Sequence, residues 1–282
     1  MCKIEVVKQN EDTSIVQKEL TLEDGSCYVL MSNPFTEQTH FPNIHSLRLC
    51  LQSLALAELK YPELTELTES EIVTYFKKRD LENSDFLKTY VSIDDYAKFW
   101  GGNNQRKAKF DIKSFVNKAK VAEFVLSASI NPVDSPDRFI SVFSEISIEG
   151  DRIAAWFNPS VMPFLINPTL NEQGFTRTLL VLLQPLRSVA TVKLFNQLVR
   201  FKDKGVLYLT PKKLQGLVQS KSDNFNVLNR DVIKKAEKDL LGQGLITKKG
   251  FTVLPTKKDG KKILAFAIKF ELTNKVGLDQ AH

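Results

Sequence analysis

One order of elements occurs twice along the 282 residues, and it restricts the fold more than any single motif does. In the carboxyl half, "RSVATVKLFNQLVRF" (Arg187–Phe201) places Val192, Phe195, Leu198 and Val199 on one side of a helix. "GVLYL" then reads as a short strand, and Thr210-Pro211 as an N-cap with proline at the first helical position of "PKKLQGLVQ". After the polar turn "SKSDNFN" the spacing predicts a helix over Val227–Leu241, stopped by Gly242 and Gly244. "FTVLP" and "ILAFAIKFEL" pair across "TKKDGKK", with Asp259-Gly260 at the turn.

The amino half repeats this order with little sequence identity. "TESEIVTYFKKRD" opens on a capping box at Thr68, and "YVSIDDYAKFWGG" is a strand, an N-cap at Ser92 and a short helix ending at glycine. "RKAKFDIKSFVNKAKVAEFVLSA" predicts one long basic helix with Ile112, Phe115, Val116, Ala119 and Ala122 toward a core. "RFISVFSEISIE" and "RIAAWFN" alternate on either side of Glu149-Gly150-Asp151-Arg152, a hairpin signal. Helix, strand, helix, turn, helix, hairpin is the order of a winged helix. The predicted fold class is α+β, with two tandem winged-helix domains related as a diverged internal duplication. Residues 1–40, with extended pieces at IEVV, SIVQKEL and CYVLM, read as an N-terminal extension. The first domain is expected over 41–170, with an extra helix at His45–Lys60 whose leucines pack a core. The second covers 171–282, the boundary falling in the Pro/Asn/Gly-rich stretch near residue 170.

Charge divides unevenly between these parts. Residues 181–282 hold 20 Lys/Arg against 8 Asp/Glu, while residues 1–180 hold 19 against 25. A basic back half suits a polyanionic partner. The longest strongly apolar stretch, Thr178–Leu186, is too short to span a bilayer, and the amino terminus lacks the apolar core of a signal peptide. Cys2, Cys27 and Cys50 have no metal-binding or disulfide spacing, as expected of a reduced cytoplasmic protein with no membrane partner.

The helix at Val227–Leu241 carries the sharpest signal. At about 100° per residue, Leu228, Val232, Ile233, Ala236 and Leu240 fall on one arc, while Arg230, Lys234 and Lys238 form an outward stripe. Lys235 adds to the charge of the same helix, and Asp231 and Glu237 flank the stripe. Repulsion along an unpaired stripe is relieved if phosphates or base edges supply the partners. A lone basic helix is as readily a solvated face. Its place as the second helix of a helix-turn-helix favours double-stranded DNA. Arg230 is the best base reader and Asn229 a weaker one, whereas Lys234 and Lys238 suit phosphates. Lys212 and Lys213, in the first turn of the preceding helix, and the wing lysines Lys257, Lys258, Lys261 and Lys262 would set register without reading sequence. On the first domain's basic helix, Arg106, Lys107, Lys109 and Lys113 are the corresponding candidates.

No phosphate-binding GxxxxGK[ST] loop, paired-histidine metal site or catalytic constellation is present, so a non-enzymatic protein without cofactors is expected. His40 and His45 read as structural. The carboxylates at Asp94-Asp95 and at Glu145, Glu149 and Asp151 read as a helix opening and a hairpin, and Trp100 and Trp156 as core aromatics.

"QGFTRTLLVLLQPLRSVATVKLFNQLVRFKDKGVLYLTPKKLQGLV" resembles a stretch of the iteron-type plasmid replication initiators, with Phe175-Thr176 and Lys193-Leu194-Phe195 at matching places. "FNVLNRDVIKKAEKDL" is similar to that family's recognition helix, and "ISIEGDRIAAWFNPSVMPFLI" to the end of its first winged helix. The resemblance implies a plasmid DNA replication initiator that binds origin repeats. It also implies a homodimer in equilibrium with monomer, repression of its own gene at an operator, and host initiator and replicative helicase as partners. By position, Asn229, Arg230 and Lys234 fall where the family's helix meets the major groove. Asp231 departs from the basic residue expected beside them, and residues 1–40 match nothing in the family. A winged-helix transcriptional regulator without origin function would need the same DNA-binding residues.

Overall fold

The computed structural model describes residues 28–57, 61–118, 125–128, 138–167 and 175–277. Strand β1 (Tyr28–Ser32), helix α1 (Asn33–Gln38) and strand β2 (Thr39–His40) precede α2 (Ile44–Leu56) and α3 (Glu69–Glu82). Next come β3 (Lys88–Ser92), α4 (Ile93–Gly101), α5 (Gln105–Lys118), β4 (Val125–Ala128), β5 (Arg138–Ser141), β6 (Phe143–Glu149) and β7 (Arg152–Phe157). The short α6 (Met162–Leu165), β8 (Phe175–Leu179) and α7 (Leu180–Leu183) lead to α8 (Val189–Arg200), β9 (Val206–Leu209) and α9 (Pro211–Val218). A single long helix is then built from α10 (Phe225–Leu228), a π-helical turn over Asn229–Ile233 and α11 (Lys234–Gly242). The hairpin β10 (Ile246–Asp259) and β11 (Lys262–Leu272) and the one-turn α12 (Asn274–Gly277) end the described chain.

Two three-stranded sheets share one connectivity. Their strand orders are β3-β7-β6 and β9-β11-β10, all antiparallel. In each, the strand ahead of the helix-turn-helix pairs with the second strand of the hairpin, leaving the first strand at the edge. The fold is therefore α+β with two winged helices, as the repeated element order predicts. The predicted caps close the helices: Thr68 and Glu71 form a reciprocal box, and Ser92 and Thr210 each accept a backbone N–H three residues on, as does Ser188 at the start of α8. These contacts satisfy donors that the first helical turn would leave unpaired.

Three features depart from the sequence expectation. Residues Val125–Ala128 form β4, paired with β2 and β5, instead of prolonging the helix of α5. The run "RFISVFSEISIE" divides at buried Val142, so that β5 joins this extra sheet and β6 joins the wing. Part of the supposed N-terminal extension is folded: β1 pairs along its whole length with β8, from Tyr28 against Leu179 to Ser32 against Phe175. The extended pieces IEVV and SIVQKEL, Cys2, Cys27, Ala119, Ala122 and the stretch around residue 170 lie outside the described residues. Cys50 is a buried free thiol whose pKa is raised by desolvation. Among the described residues no helix is long and apolar enough to cross a membrane.

The β1–β8 ladder changes the surroundings of α8. Val192, Leu194, Phe195 and Leu198 pack into the core, but Lys193, Asn196 and Gln197 on the polar side are also buried. Thr178 on β8 donates to the Asn196 Oδ1 (3.1 Å), and Thr176 donates to the Asn33 Oδ1 (2.9 Å). Ser32, which caps α1, donates to the Phe164 carbonyl at 2.6 Å. Lys193 is only 2% exposed, and its Nζ reaches the Glu37 carbonyl at 3.5 Å. The Glu37 carboxylate is itself engaged by Arg200, and burial, with Lys193 nearby adding to it, depresses the pKa of His40.

Burial pushes Lys193 from an ordinary 10.5 down to about 7, with Glu37 opposing the shift. Between those values the unfolded chain binds the proton that the folded chain releases, so this residue makes stability rise with pH. Lys193→Met, which keeps the stem and removes the ammonium, should stabilise the fold at pH 7. It should also flatten the gain between pH 7 and 10 in urea unfolding; an unchanged slope would mean that Lys193 stays charged in the seam.

Candidate nucleic-acid interface

The second helix-turn-helix is set by short-range chemistry. The Thr210 hydroxyl accepts from the Lys213 N–H at 3.2 Å, and Pro211 supplies the fixed first turn of α9. Gln219 ends α9 in the left-handed conformation (φ 59°), after which the Ser220 hydroxyl donates to the Ser222 carbonyl and accepts from the Ser222 N–H. Asn224 restarts the helix by accepting from the Asn226 N–H at 2.9 Å. Leu228, Ile233, Ala236 and Leu240 are fully buried and Val232 nearly so, the face deduced from periodicity. Phe225 fixes the start of the helix against Phe266 of the wing strand, their ring centres 5.0 Å apart.

The opposite face carries Arg230, Lys234, Lys235 and Lys238, all exposed, while Asn229 is half-buried. The π-helical turn holds one residue more than an α-turn, which offsets the residues ahead of it from a uniform 100° progression. The stripe is not wholly unpaired, as the sequence had suggested. Arg230 folds back on Asp231 through Nε (3.1 Å) and Nη2 (2.8 Å), and Lys235 approaches the same carboxylate at 3.8 Å. The guanidinium holds the Asp231 carboxyl below the usual carboxylate range. Such a solvent-exposed pair is weak and readily exchanged. Lys234 and Lys238 have no carboxylate partner among the described residues.

The wing projects further than expected. Strand β10 runs through Lys257 and Lys258 to Asp259, which faces Lys262 across a tight turn at Gly260 (φ +53°), a conformation glycine adopts without strain. The register shifts at Lys257, and such a bulge twists a hairpin tip. Lys257, Lys258, Lys261 and Lys262 are all exposed, as are Lys212 and Lys213. Helix, wing and the start of α9 thus present cations from one structural unit.

The first helix-turn-helix is differently furnished. A Cβ on Gly101 would lie 2.9 Å from that of Ala108, so the turn between α4 and α5 needs a glycine there. Arg106, Lys107 and Lys113 are exposed on α5, but Lys109 is bound to Asp94 at 2.6 Å and ties α5 to the first turn of α4. The His45 Nδ1 lies 3.1 Å from the Tyr96 hydroxyl and its Nε2 lies 3.9 Å from Asp111. Glu149 and Asp85 enclose Lys88 at 3.0 and 3.4 Å. Among the described residues no group of His, Cys, Asp and Glu is arranged to hold a metal. Trp100 is a core residue bonded to the Gln52 side chain (3.0 Å), whereas Trp156 is half-exposed and lies over the Lys88 ammonium at 4.1 Å. Phe110 carries no charge to mark it in the sequence, yet it is 71% exposed on α5. Its place opposite Ile112 and Val116 was the available signal.

Residues 49–199 match the model of a family described as "Initiator Replication protein, WH1". The chain belongs to the initiator replication protein family. A structural search finds similarity to the crystal structure of Pi initiator protein in complex with iteron DNA, with a TM-score of 0.63 and 14% identity over 89% of this chain and 99% of that one. That likeness is one of fold. No curated protein matches by sequence. The family match spans the first winged helix and the β8–α8 seam, ahead of the second helix-turn-helix.

The Arg230–Asp231 pair can be tested in the free protein. Arg230→Ala should let the Asp231 carboxyl return toward its ordinary range, read by NMR titration of its side-chain carbon. An unmoved midpoint would show that the pair is not populated in solution.

Proposed function

We propose that this initiator starts plasmid DNA replication by binding repeated duplex sites at the origin. The second winged helix (171–282) makes the main sequence-specific contacts. The observation that carries this reading is the assembly of three cationic surfaces on one unit: the outward face of α10–α11, the β10–β11 tip and the start of α9. Arg230, released from Asp231, pairs with a guanine edge, and Asn229 contributes where the first turn approaches the bases. Lys234, Lys235 and Lys238 meet phosphates, as do Lys212 and Lys213 at the positive end of the α9 dipole. Lys257, Lys258, Lys261 and Lys262 follow the backbone next to the groove.

The first winged helix (41–170) adds phosphate contacts from Arg106, Lys107 and Lys113 and carries a monomer–dimer change. Lys109 serves that surface indirectly, through its tie to Asp94. The protein acts in the cytoplasm without a cofactor or catalytic step of its own. It recruits the host initiator and replicative helicase and represses its own gene by binding an operator. The Pi initiator protein, crystallised in complex with iteron DNA, supports this reading by fold alone.

Binding of the purified chain to duplexes from its own origin, compared with random duplex, tests the assignment. Arg230→Ala should weaken origin binding about tenfold or more and relax preference at one base pair. Equal loss on both duplexes would make Arg230 a phosphate contact. Neutralising Lys258 and Lys261 should reduce the salt slope by about one for each; an unaltered slope would remove the wing from the interface.

A further inference from the structure

The two helix-turn-helix units carry different chemistry at one position. Lys109-Phe110-Asp111-Ile112 on α5 can be laid against Asn229-Arg230-Asp231-Val232 of the second unit. In both, a buried residue stands two places before (Ala108, Leu228) and another two places after (Ile112, Val232). The position between them is Arg230 in one unit and Phe110 in the other. At about 100° per residue, Phe110 lies at the centre of the face opposite Ala108, Ile112 and Val116. Arg106, Lys107, Lys113 and Asn117 lie around it and are exposed. The nearby acids are turned elsewhere, Asp94 to Lys109 and Asp111 to His45.

An aromatic ring held in water contributes nothing to the core, and a ring of cations around it selects the partner. A second copy of the same face would meet it with like charge. A duplex brings phosphates to the cations and an apolar group to the ring, because the thymine 5-methyl is the hydrophobic feature of the major groove. We propose that Phe110 packs on a thymine methyl, which makes the first winged helix a reader of an A·T pair as well as a phosphate clamp. This rests on the proposed binding of duplex repeats and adds to it a specificity residue outside the main recognition helix.

The test uses the full chain and a duplex selected from random DNA by its binding. Each thymine of that site is replaced in turn by deoxyuridine, which removes the methyl and keeps the pairing. At one position the replacement should weaken wild-type binding about fourfold, the value of one buried methyl-sized group. Phe110→Ala should bind both versions of that duplex equally, and Phe110→Leu should retain part of the difference. Circular dichroism of the variants should match wild type, since the side chain is outside the core. A selected site insensitive to deoxyuridine everywhere overturns this proposal alone, as does equal weakening of every duplex by Phe110→Ala. A shift in sedimentation of Phe110→Ala with methyl discrimination intact would assign the ring to a second copy and also overturn it. A selection that enriches no sequence overturns the duplex-repeat reading, and this proposal with it.

Discussion

The structure depends on a helix whose polar side is covered as thoroughly as its apolar side. On its own, α8 would pack Val192, Phe195 and Leu198 into the second winged helix and leave Lys193, Asn196 and Gln197 in water. The β1–β8 ladder and α1 cover those three, so α8 becomes a shared wall and not an outer surface. Burial of this kind requires partners for each polar group. Asn196 receives the Thr178 hydroxyl, while Lys193 has one long bond to the Glu37 carbonyl. The seam is thus well satisfied at the amide and poorly satisfied at the ammonium. Such a site is held closed by its surroundings and is sensitive to proton uptake.

A second tie crosses from the first winged helix to the entrance of α8. Arg48 on α2 donates to the carbonyls of Gln184 (3.2 Å) and Leu186 (3.0 Å), and its guanidinium lies 5.2 Å from the Trp100 ring centre. The Gln184 amide in turn donates to the Phe99 carbonyl at the end of α4. Charge-assisted bonds to carbonyls are worth about 1.5–3 kcal/mol each, and removing the donor takes this partner from both carbonyls. This connection runs from the turn region of one winged helix to the wall of the other. It ties the two units together at the entrance of α8.

The elements legible in the sequence are those whose causes are local. Thr68, Ser92 and Thr210 cap helices through residues three places away, and Gly150 and Gly260 turn hairpins by their own backbone freedom. The buried face of α10–α11 was likewise given by apolar spacing. What escaped depends on partners distant in the chain. Val125–Ala128 looks helical until β2 and β5 offer it a ladder, and the extended piece CYVLM has no visible partner until β8 is known to lie beside it. At the candidate interface the charges were visible but not their engagements. Arg230 with Asp231 and Lys109 with Asp94 are side-chain choices among several neighbours, and periodicity is silent on which is taken.

The Arg230–Asp231 pair bears on discrimination as well as on geometry. If the helix enters a major groove, Arg230 must leave Asp231 before it can meet a guanine, and the freed carboxylate then stands near phosphates. On a wrong sequence the arginine gains no bidentate partner, and the unpaired acid still repels the backbone. On the right one, two base-edge bonds replace the two it gave up. Under that exchange the acid would weaken binding to every duplex alike, and discrimination would come from the two base-edge bonds gained only on the right sequence. In the first unit the corresponding Asp111 is directed to His45, and the residue beside it is a phenylalanine that needs no partner released. The two helices thus differ in kind. One presents an arginine held by a neighbouring acid, while the other presents an exposed apolar ring.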